Sequence, residues 1–103
     1  MYQIQYSKNF VNSFTQTITY WQDELQLPDA YIQRYTSLVS KSISLLHEFP
    51  PMYQDVSSIY HFSTPTYRIT IGKKYAIFYR VNEKEKKVLI GSFFNNKQMK
   101  VDF

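Results

Sequence analysis

The start of the chain changes from a strand-like to a helix-like spacing of its apolar residues. Tyr2, Ile4 and Tyr6 alternate with glutamines, which is the period of a short, half-buried strand. Ser7 then offers a hydroxyl that can cap the N-terminus of a helix. The apolar residues that follow recur every three or four positions, as on one side of a helix: Phe10, Phe14, Ile18, Trp21 and Leu25. This spacing predicts a helix from about residue 8 to about residue 26.

A second helix is predicted directly after a break at Pro28. The residue before a proline is disfavoured in the helical region, so Leu27 should lie outside both helices. From Asp29 or Ala30 onward, apolar residues again recur at helical spacing: Ile32, Tyr35, Val39, Ile43 and Leu46. The Phe-Pro-Pro segment at 49–51 should end this helix. Two helices joined by so short a break favour an antiparallel helical hairpin.

The second half of the chain has the alternation typical of β-strands. Three strands are predicted at 67–71, 75–81 and 87–94, joined by turns at 72–74 and 82–86. The apolar run inside the third strand indicates burial on both of its faces. Residues 52–65 are expected to form a loop, with some extended structure around 59–62.

These elements predict an α+β fold in the order β-α-α-β-β-β, within one domain that spans residues 1–103. The helical hairpin should cover one face of a small, largely antiparallel sheet. The pattern leaves open which strand pairs with the first one. The expected core joins Phe10, Phe14, Ile18, Trp21, Ile32, Tyr35, Ile43 and Leu46 to Ile69, Ile77, Tyr79, Val81, Val88 and Ile90.

Composition restricts the kinds of chemistry that are open to this chain. It has 103 residues, 44% of them hydrophobic, which suffices for one core and is too little for two. There is no cysteine, which excludes disulfides, thiolate metal sites and a cysteine nucleophile. The sequence has neither the pattern of a signal peptide nor an apolar stretch of membrane-spanning length. We therefore expect a cytoplasmic protein with no membrane partner.

Charge is distributed unevenly along the chain. Residues 1–53 carry three Lys or Arg and four Asp or Glu, a net charge of −1. Residues 54–103 carry nine and four, a net charge of +5. This asymmetry predicts an acidic or polyanionic partner for the second half, either nucleic acid or an acidic protein segment.

Three segments give the chain a resemblance to a known family. They are IQYS at 4–7, FPPMY at 49–53 and, most characteristic, YRITIGKKYAIFYRV at 67–81. With the order of elements around them, they resemble the RelE/ParE superfamily of small toxins from bacterial type II toxin–antitoxin systems. The resemblance spans essentially the whole chain and implies the α+β fold described above.

The resemblance implies a toxin that a cognate antitoxin neutralises, and it implies no cofactor. RelE-like members enter the ribosomal A site and cleave mRNA, whereas ParE-like members inhibit DNA gyrase. Because one fold hosts both activities, it does not choose between them. Our first hypothesis is a ribosome-dependent mRNA endoribonuclease that inhibits translation, with ribosome and mRNA as partners. The alternative is a gyrase inhibitor without nuclease activity, and a third possibility is a degenerate member that keeps only the interaction surface.

For the nuclease hypothesis, the resemblance suggests Arg68 and Arg80 as catalytic residues that hold the scissile phosphate. His61 is the candidate acid or base because histidine titrates near neutrality. Four further residues are predicted to bind RNA: Lys73, Lys74, Asn96 and Lys97. No metal site is expected. The competing interpretation is that the arginines are solvated strand residues and that His61 is structural.

This sequence departs from the family's nucleases at two places. It has Ala76 inside the second hairpin strand, where such members often carry a basic residue. The segment after the last strand, 93–98, lacks the histidine or arginines that such members often carry there. For the antitoxin, the charge asymmetry predicts an acidic segment that folds over the basic face of the sheet and orders on binding.

Overall fold

A computed structural model describes residues 1–99 and 101–103 of the chain. Its helices and strands follow the order β1 (Gln3–Tyr6), α1 (Lys8–Asp23), α2 (Asp29–Ser44), β2 (Gln54–Asp55), β3 (Tyr67–Ile71), β4 (Tyr75–Asn82) and β5 (Lys87–Asn95). Short 3₁₀ turns at Leu45–His47 and Pro50–Met52 follow α2. The predicted α+β fold is confirmed: the two helices lie on a five-stranded sheet.

Helix α1 begins where the sequence predicted and ends earlier. The Ser7 hydroxyl accepts a hydrogen bond from the Phe10 backbone N–H at 3.0 Å, which caps the first turn. The helix stops at Asp23, because Gln26 adopts a left-handed backbone conformation with φ of 49°. Leu25, which the sequence placed on the apolar side of this helix, therefore lies beyond its end and is exposed.

The sheet has the strand order β1-β5-β4-β3-β2. The first strand, whose partner the sequence left open, runs parallel to β5, with Gln3 beside Lys87 and Tyr6 beside Ile90. Every other pairing between the described strands is antiparallel, so the prediction of a largely antiparallel sheet is confirmed.

The segment between α2 and β3 differs from the expected loop. It contributes the two-residue edge strand β2, which pairs with β3. The extended structure expected around 59–62 was wrong, because residues 57–61 form a turn. In this turn the Phe62 N–H donates to the Ser57 carbonyl at 2.8 Å. The turn folds Tyr60 and Phe62 back over the sheet, where both rings pack on Phe78.

The core between the helices and the sheet contains the predicted residues. Most are fully buried, and Phe14, Ile18, Tyr35 and Val81 pack against the core while keeping part of their surface exposed. An irregularity in the β4–β5 pairing falls between Ile77 and Tyr79. It places one extra β5 residue in this stretch, so that both Ile90 and Phe93 reach the helix side.

A second cluster of apolar residues covers the other face of the sheet. Its buried members are Val56, Ala76, Phe78 and Phe94, and the partly buried residues packed on them are Tyr60, Phe62, Val101 and Phe103. The C-terminal segment is held across this face because the Ser92 N–H donates to the Asp102 carbonyl at 2.9 Å. The central strands are therefore buried on both faces, as predicted for β5.

Gly91 is expected to control how closely that segment approaches the sheet. A Cβ atom at this position would lie 3.0 Å from both the Asp102 carbonyl oxygen and the Phe103 ring. Gly91→Ala should therefore displace residues 101–103 and cost roughly 1–3 kcal/mol of the free energy of unfolding. Hydrogen exchange would detect the change as lost protection of the Ser92 amide. An unchanged exchange rate there would contradict the assignment. Ser92→Ala is the comparison, because it removes only the longer hydrogen bond of 3.3 Å from the Ser92 hydroxyl to the Asp102 carbonyl and keeps the backbone one.

Candidate functional site

Arg68 and Arg80 lie on the face of the sheet that does not pack against the helices. Arg68 is directly opposite Phe78, and Arg80 lies two residues further along β4. The two arginines are therefore diagonal neighbours, about 7–8 Å apart at their backbones. Each arginine alternates along its strand with the apolar residues that pack on the helices, which places both on the opposite face.

The hydrogen-bond partners of the two guanidinium ions are neutral hydroxyl groups. An Nη1 atom of Arg68 donates to the Tyr60 hydroxyl at 2.8 Å, and the Nε atom of Arg80 donates to the Thr66 hydroxyl at 3.1 Å. The guanidinium carbon of Arg80 lies 4.1 Å from the centroid of the Phe103 ring, a cation–π contact. Within the described part of the chain, neither arginine forms an ion pair. Both positive charges therefore remain available to an anionic partner.

His61 has a left-handed backbone conformation, with φ of 59°, and its side chain is exposed. No hydrogen bond joins its imidazole to either arginine or to a carboxylate among residues 1–99 and 101–103. The structure instead places the adjacent Tyr60 against Arg68. Sequence reasoning missed Tyr60, although Tyr60 and Phe62 flank His61 and both turn toward the sheet.

The four residues predicted to bind RNA lie together at the other end of the sheet. The Asn96 N–H donates to the Lys74 carbonyl at 2.7 Å, and the Asn96 side-chain amide donates to the Lys73 carbonyl at 3.1 Å. Lys97 is the next residue, and its backbone N–H donates to the side-chain oxygen of Asn95 at 2.9 Å. We call the exposed set Lys73, Lys74, Asn96 and Lys97 the turn patch.

The structure thus divides the predicted site into two parts. Lys73 lies five positions after Arg68 in the β3–β4 hairpin, and the three strand steps from Arg68 to Ile71 alone span about 10 Å. One phosphate group is too small to contact both ends. If both parts bind the same partner, that partner must extend along the sheet or present two separate anionic groups.

A cleft of 480 Å³ adjoins the turn patch between α1 and β5. It reaches Lys97 at one end and is lined by the side chains of Thr17, Tyr20 and Tyr75. The Tyr75 hydroxyl also accepts a hydrogen bond from the Trp21 indole N–H at 3.0 Å. The cleft therefore combines hydroxyl groups and aromatic surface beside a cationic residue.

Two ionisable groups near the arginine end have shifted pKa values. Burial raises the pKa of the Tyr67 phenol, and the negative charges of Asp55 and Glu83 raise it further. Tyr67 therefore stays protonated at neutral pH. Hydrogen bonds from the Ser57 hydroxyl and N–H lower the pKa of Asp55, which keeps this exposed carboxylate ionised. Neither shift creates a group that exchanges protons near neutrality.

Two further features concern metals and membranes. Among residues 1–99 and 101–103, no group of three or more histidine, aspartate or glutamate side chains is arranged to hold a metal ion. None of the helices in these residues is both long enough and apolar enough to cross a membrane.

A family model of known proteins matches this chain. The family model described as "ParE toxin of type II toxin-antitoxin system, parDE" matches residues 4–99. The match covers every described helix and strand except Gln3 at the beginning of β1. A search of curated proteins finds no match.

Proposed function

Because the chain belongs to the ParE toxin family of type II toxin–antitoxin systems, we propose that it arrests growth by binding DNA gyrase and blocking supercoiling, without cleaving RNA. The observation that supports this proposal is the set of hydrogen bonds made by the two arginines. Their hydrogen bonds end on the neutral hydroxyls of Tyr60 and Thr66. Metal-free cleavage of RNA requires a base and an acid beside the phosphate. An inhibitor that acts by binding requires neither.

The surface that we assign to the target is the turn patch. It presents Lys73, Lys74 and Lys97 on an exposed turn that the Asn96 hydrogen bonds hold in place. Clustered cations speed association with an acidic or nucleic-acid surface and fix its orientation. Gyrase at work is a complex of protein with DNA, so such a patch can contact either component. A second, separate contact through Arg68 and Arg80 would fit the division of charge along the sheet.

A supercoiling assay with purified gyrase tests this proposal. The wild-type protein should stop supercoiling, and the double variant Lys73→Glu/Lys74→Glu should require roughly tenfold more protein for the same inhibition. The matched control is Lys8→Glu/Lys84→Glu, which reverses two exposed charges elsewhere and should inhibit like the wild type. Supercoiling that continues at full rate with excess wild-type protein would reject gyrase as the target.

Cleavage of mRNA on the ribosome is the second candidate. It is favoured by the diagonal arrangement of Arg68 and Arg80, which could hold one phosphate from two directions. The Tyr60 hydroxyl, 2.8 Å from Arg68, and the neighbouring His61 would then have to move the protons. On this hypothesis, Arg68→Ala or Arg80→Ala would raise the barrier by roughly 2–4 kcal/mol.

Mapping of mRNA ends in cells that express the protein distinguishes the two candidates. Under the gyrase proposal, mRNA stays intact, and Tyr60→Phe and His61→Ala both retain growth arrest. Fragments cut at defined positions in translated mRNA, and absent from the Arg68→Ala strain, would assign the nuclease activity instead.

A further inference from the structure

The cleft between α1 and β5 has one helical wall and one strand wall. Ser13, Thr17 and Tyr20 form the helical wall, because they recur at three or four positions and so lie along one side of α1. The seven residue steps from Ser13 to Tyr20 make this wall about 10 Å long. The end of β5 forms the other wall, and the Ser13 hydroxyl joins the two by accepting a hydrogen bond from the Phe93 N–H at 2.9 Å. The shape of the cleft is therefore fixed by the fold.

An exposed aromatic ring lies on the helical wall. Tyr20 lines the cleft and is 50% exposed. Its neighbour Trp21 contacts three other rings, whereas Tyr20 contacts none within the part of the chain that the structure describes. Tyr75 lies deeper and is stacked on Phe93 at a centroid distance of 5.0 Å. A planar ligand can therefore stack on Tyr20 without disturbing the core.

The polar groups around this ring are three amides and one ammonium ion. Gln16, Asn95 and Gln98 line the cleft, and none of their side-chain NH₂ groups donates a hydrogen bond among residues 1–99 and 101–103. Lys97 adds a positive charge, and it forms no ion pair with the described residues. No aspartate or glutamate of this described set lines the cleft. The cleft therefore offers unused hydrogen-bonding groups beside a positive charge that nothing in its lining offsets.

We infer that this cleft binds one unpaired nucleotide of a DNA strand, with the base on Tyr20 and a phosphate at Lys97. A base supplies the planar face, and its edge carries donors and acceptors that glutamine and asparagine amides bind well. The inference rests on the proposed function and makes it more specific, since it assigns this surface to the DNA of the gyrase complex. Changing the supercoiling of closed DNA requires breaking a strand, and a nucleotide near a break leaves the base stack at low cost.

The bound strand would continue from the cleft onto the turn patch. Lys97 belongs to both surfaces. The Asn96 N–H donates to the Lys74 carbonyl at 2.7 Å, which holds the exposed Lys73 and Lys74 beside the cleft. Successive phosphates can therefore contact Lys97 and then the lysines of the turn. A positively charged surface next to an aromatic ring is the common arrangement of single-strand sites that accept many sequences.

Other ligands match the cleft less completely. An apolar ligand would remove water from the amides and from Lys97 without replacing their hydrogen bonds. A simple anion such as phosphate would satisfy Lys97 and leave the Tyr20 ring without a contact. Duplex DNA can contact the lysines through its phosphates, but its bases stay stacked inside the helix and do not reach Tyr20.

Fluorescence anisotropy with a labelled single strand of DNA tests the inference without gyrase. The strand should be roughly ten nucleotides long, the scale of a single-strand site. Tyr20→Ala should weaken its Kd by roughly tenfold, because the substitution removes the stacking ring, and Tyr20→Phe should bind like the wild type. The matched control is Tyr31→Ala, which removes a tyrosine of α2 that is 41% exposed and should leave the Kd unchanged. Thermal unfolding verifies that all three variants fold.

Trp21 reports whether the cleft itself is occupied. It is the only tryptophan of the chain, and its indole N–H donates to the hydroxyl of Tyr75, which lines the cleft. Single-stranded DNA should therefore change the fluorescence of Trp21. Polyphosphate, which has the charge and no bases, should leave this fluorescence unchanged. A free mononucleotide that binds as tightly as the strand would overturn the assignment to DNA.

The salt dependence of binding tests the phosphate contact. Lys97→Gln should weaken the Kd and lower the slope of log Kd against log salt by about one, because one phosphate contact is lost. Lys8→Gln removes the same charge outside the cleft and should keep the wild-type slope. Equal affinity for single-stranded DNA, duplex DNA and polyphosphate, or an unchanged Kd for Tyr20→Ala, would overturn the inference. Tighter binding of an RNA strand of the same sequence would overturn it as well.

Supercoiling assays separate this inference from the gyrase proposal. If both are correct, Tyr20→Ala should require roughly tenfold more protein than Tyr31→Ala for the same inhibition. Inhibition by a wild-type protein that does not bind the strand would overturn the inference and leave the gyrase proposal intact, and the same holds if Tyr20→Ala weakens binding only to gyrase that is free of DNA. Binding of the strand without inhibition would reject gyrase as the target and retain the nucleotide site.

Discussion

Replacing Trp21 with alanine is expected to destabilise the protein by about 3–5 kcal/mol, the usual cost of removing a large buried aromatic side chain. Trp21 is 2% exposed and lies where α1 meets both α2 and the sheet. Its ring contacts Tyr35, Tyr75 and Phe93 at centroid distances of 5.0, 5.4 and 6.4 Å. Its indole N–H donates to the Tyr75 hydroxyl, so the substitution also removes a hydrogen bond.

Urea unfolding followed by circular dichroism measures this loss, and two variants serve as references. Tyr20→Ala removes the aromatic side chain at the preceding position of α1, and Tyr20 is 50% exposed. This substitution should lower the free energy of unfolding by less than about 1 kcal/mol. Trp21→Phe keeps a ring in the core but loses the hydrogen bond. Its loss of stability should lie between those of Trp21→Ala and Tyr20→Ala. If Trp21→Ala were no more destabilising than Tyr20→Ala, the position of Trp21 in the core would be wrong.

The helical hairpin was predictable because its signal is local. Each helix repeats its apolar residues over four turns, and only one side of a helix can bury such a set. The end of α1 was misjudged because Leu25 continues the spacing while the backbone at Gln26 turns away. The spacing of apolar side chains does not reveal that one residue has a left-handed backbone conformation.

The cover on the second face of the sheet was not predictable from the same signals. Residues 60–62 read Tyr-His-Phe, an alternation that also fits a strand, and they form a turn because both rings pack on Phe78. Val101 and Phe103 belong to a segment too short to show any period. Both features depend on contacts with residues distant in the sequence, which local patterns do not contain.

The candidate site was predicted residue by residue, but its arrangement was not. The alternation of residues along β3 and β4 is enough to place Arg68 and Arg80 on the face away from the helices. No local pattern joins Asn96 to the turn lysines, because that contact depends on β5 ending beside the β3–β4 turn. The separation between the arginines and the turn patch was also not predicted, because it follows from the length of the folded hairpin.

The second large effect is a loss of stability at alkaline pH, and it depends on Tyr79. This side chain is fully buried, stacks on Tyr67 at 5.1 Å and donates its hydroxyl proton to the Pro50 carbonyl. Burial raises the pKa of Tyr79 far above its ordinary value, and the neighbouring phenols of Tyr67 and Tyr53 raise it further, against an opposing hydrogen bond from the Tyr53 backbone. The folded state therefore keeps this phenol neutral over a pH range in which the unfolded chain ionises it.

The sign of the pH dependence follows from that difference. Below about pH 10, the ordinary pKa of tyrosine, both states hold the proton and the full stability is present. Above it, only the unfolded state releases the proton, so the free energy of unfolding should fall by up to about 1.4 kcal/mol per pH unit for this group. Burial also raises the pKa of Tyr35 and of Tyr67, so these residues add to the same slope.

Tyr79→Phe should change this dependence in a way that a purely structural role would not. At neutral pH, the variant should be less stable by about 1 kcal/mol, because it loses the hydrogen bond to Pro50. Above about pH 10, its stability should decline less steeply than that of the wild type, so the two curves converge as pH rises. Urea unfolding at a series of pH values measures both slopes, with Tyr20→Phe as a control at an exposed tyrosine that should keep the wild-type slope. Parallel curves for Tyr79→Phe and the wild type would show that Tyr79 does not stay protonated in the folded protein, and the alkaline loss of stability would then have to come from other groups.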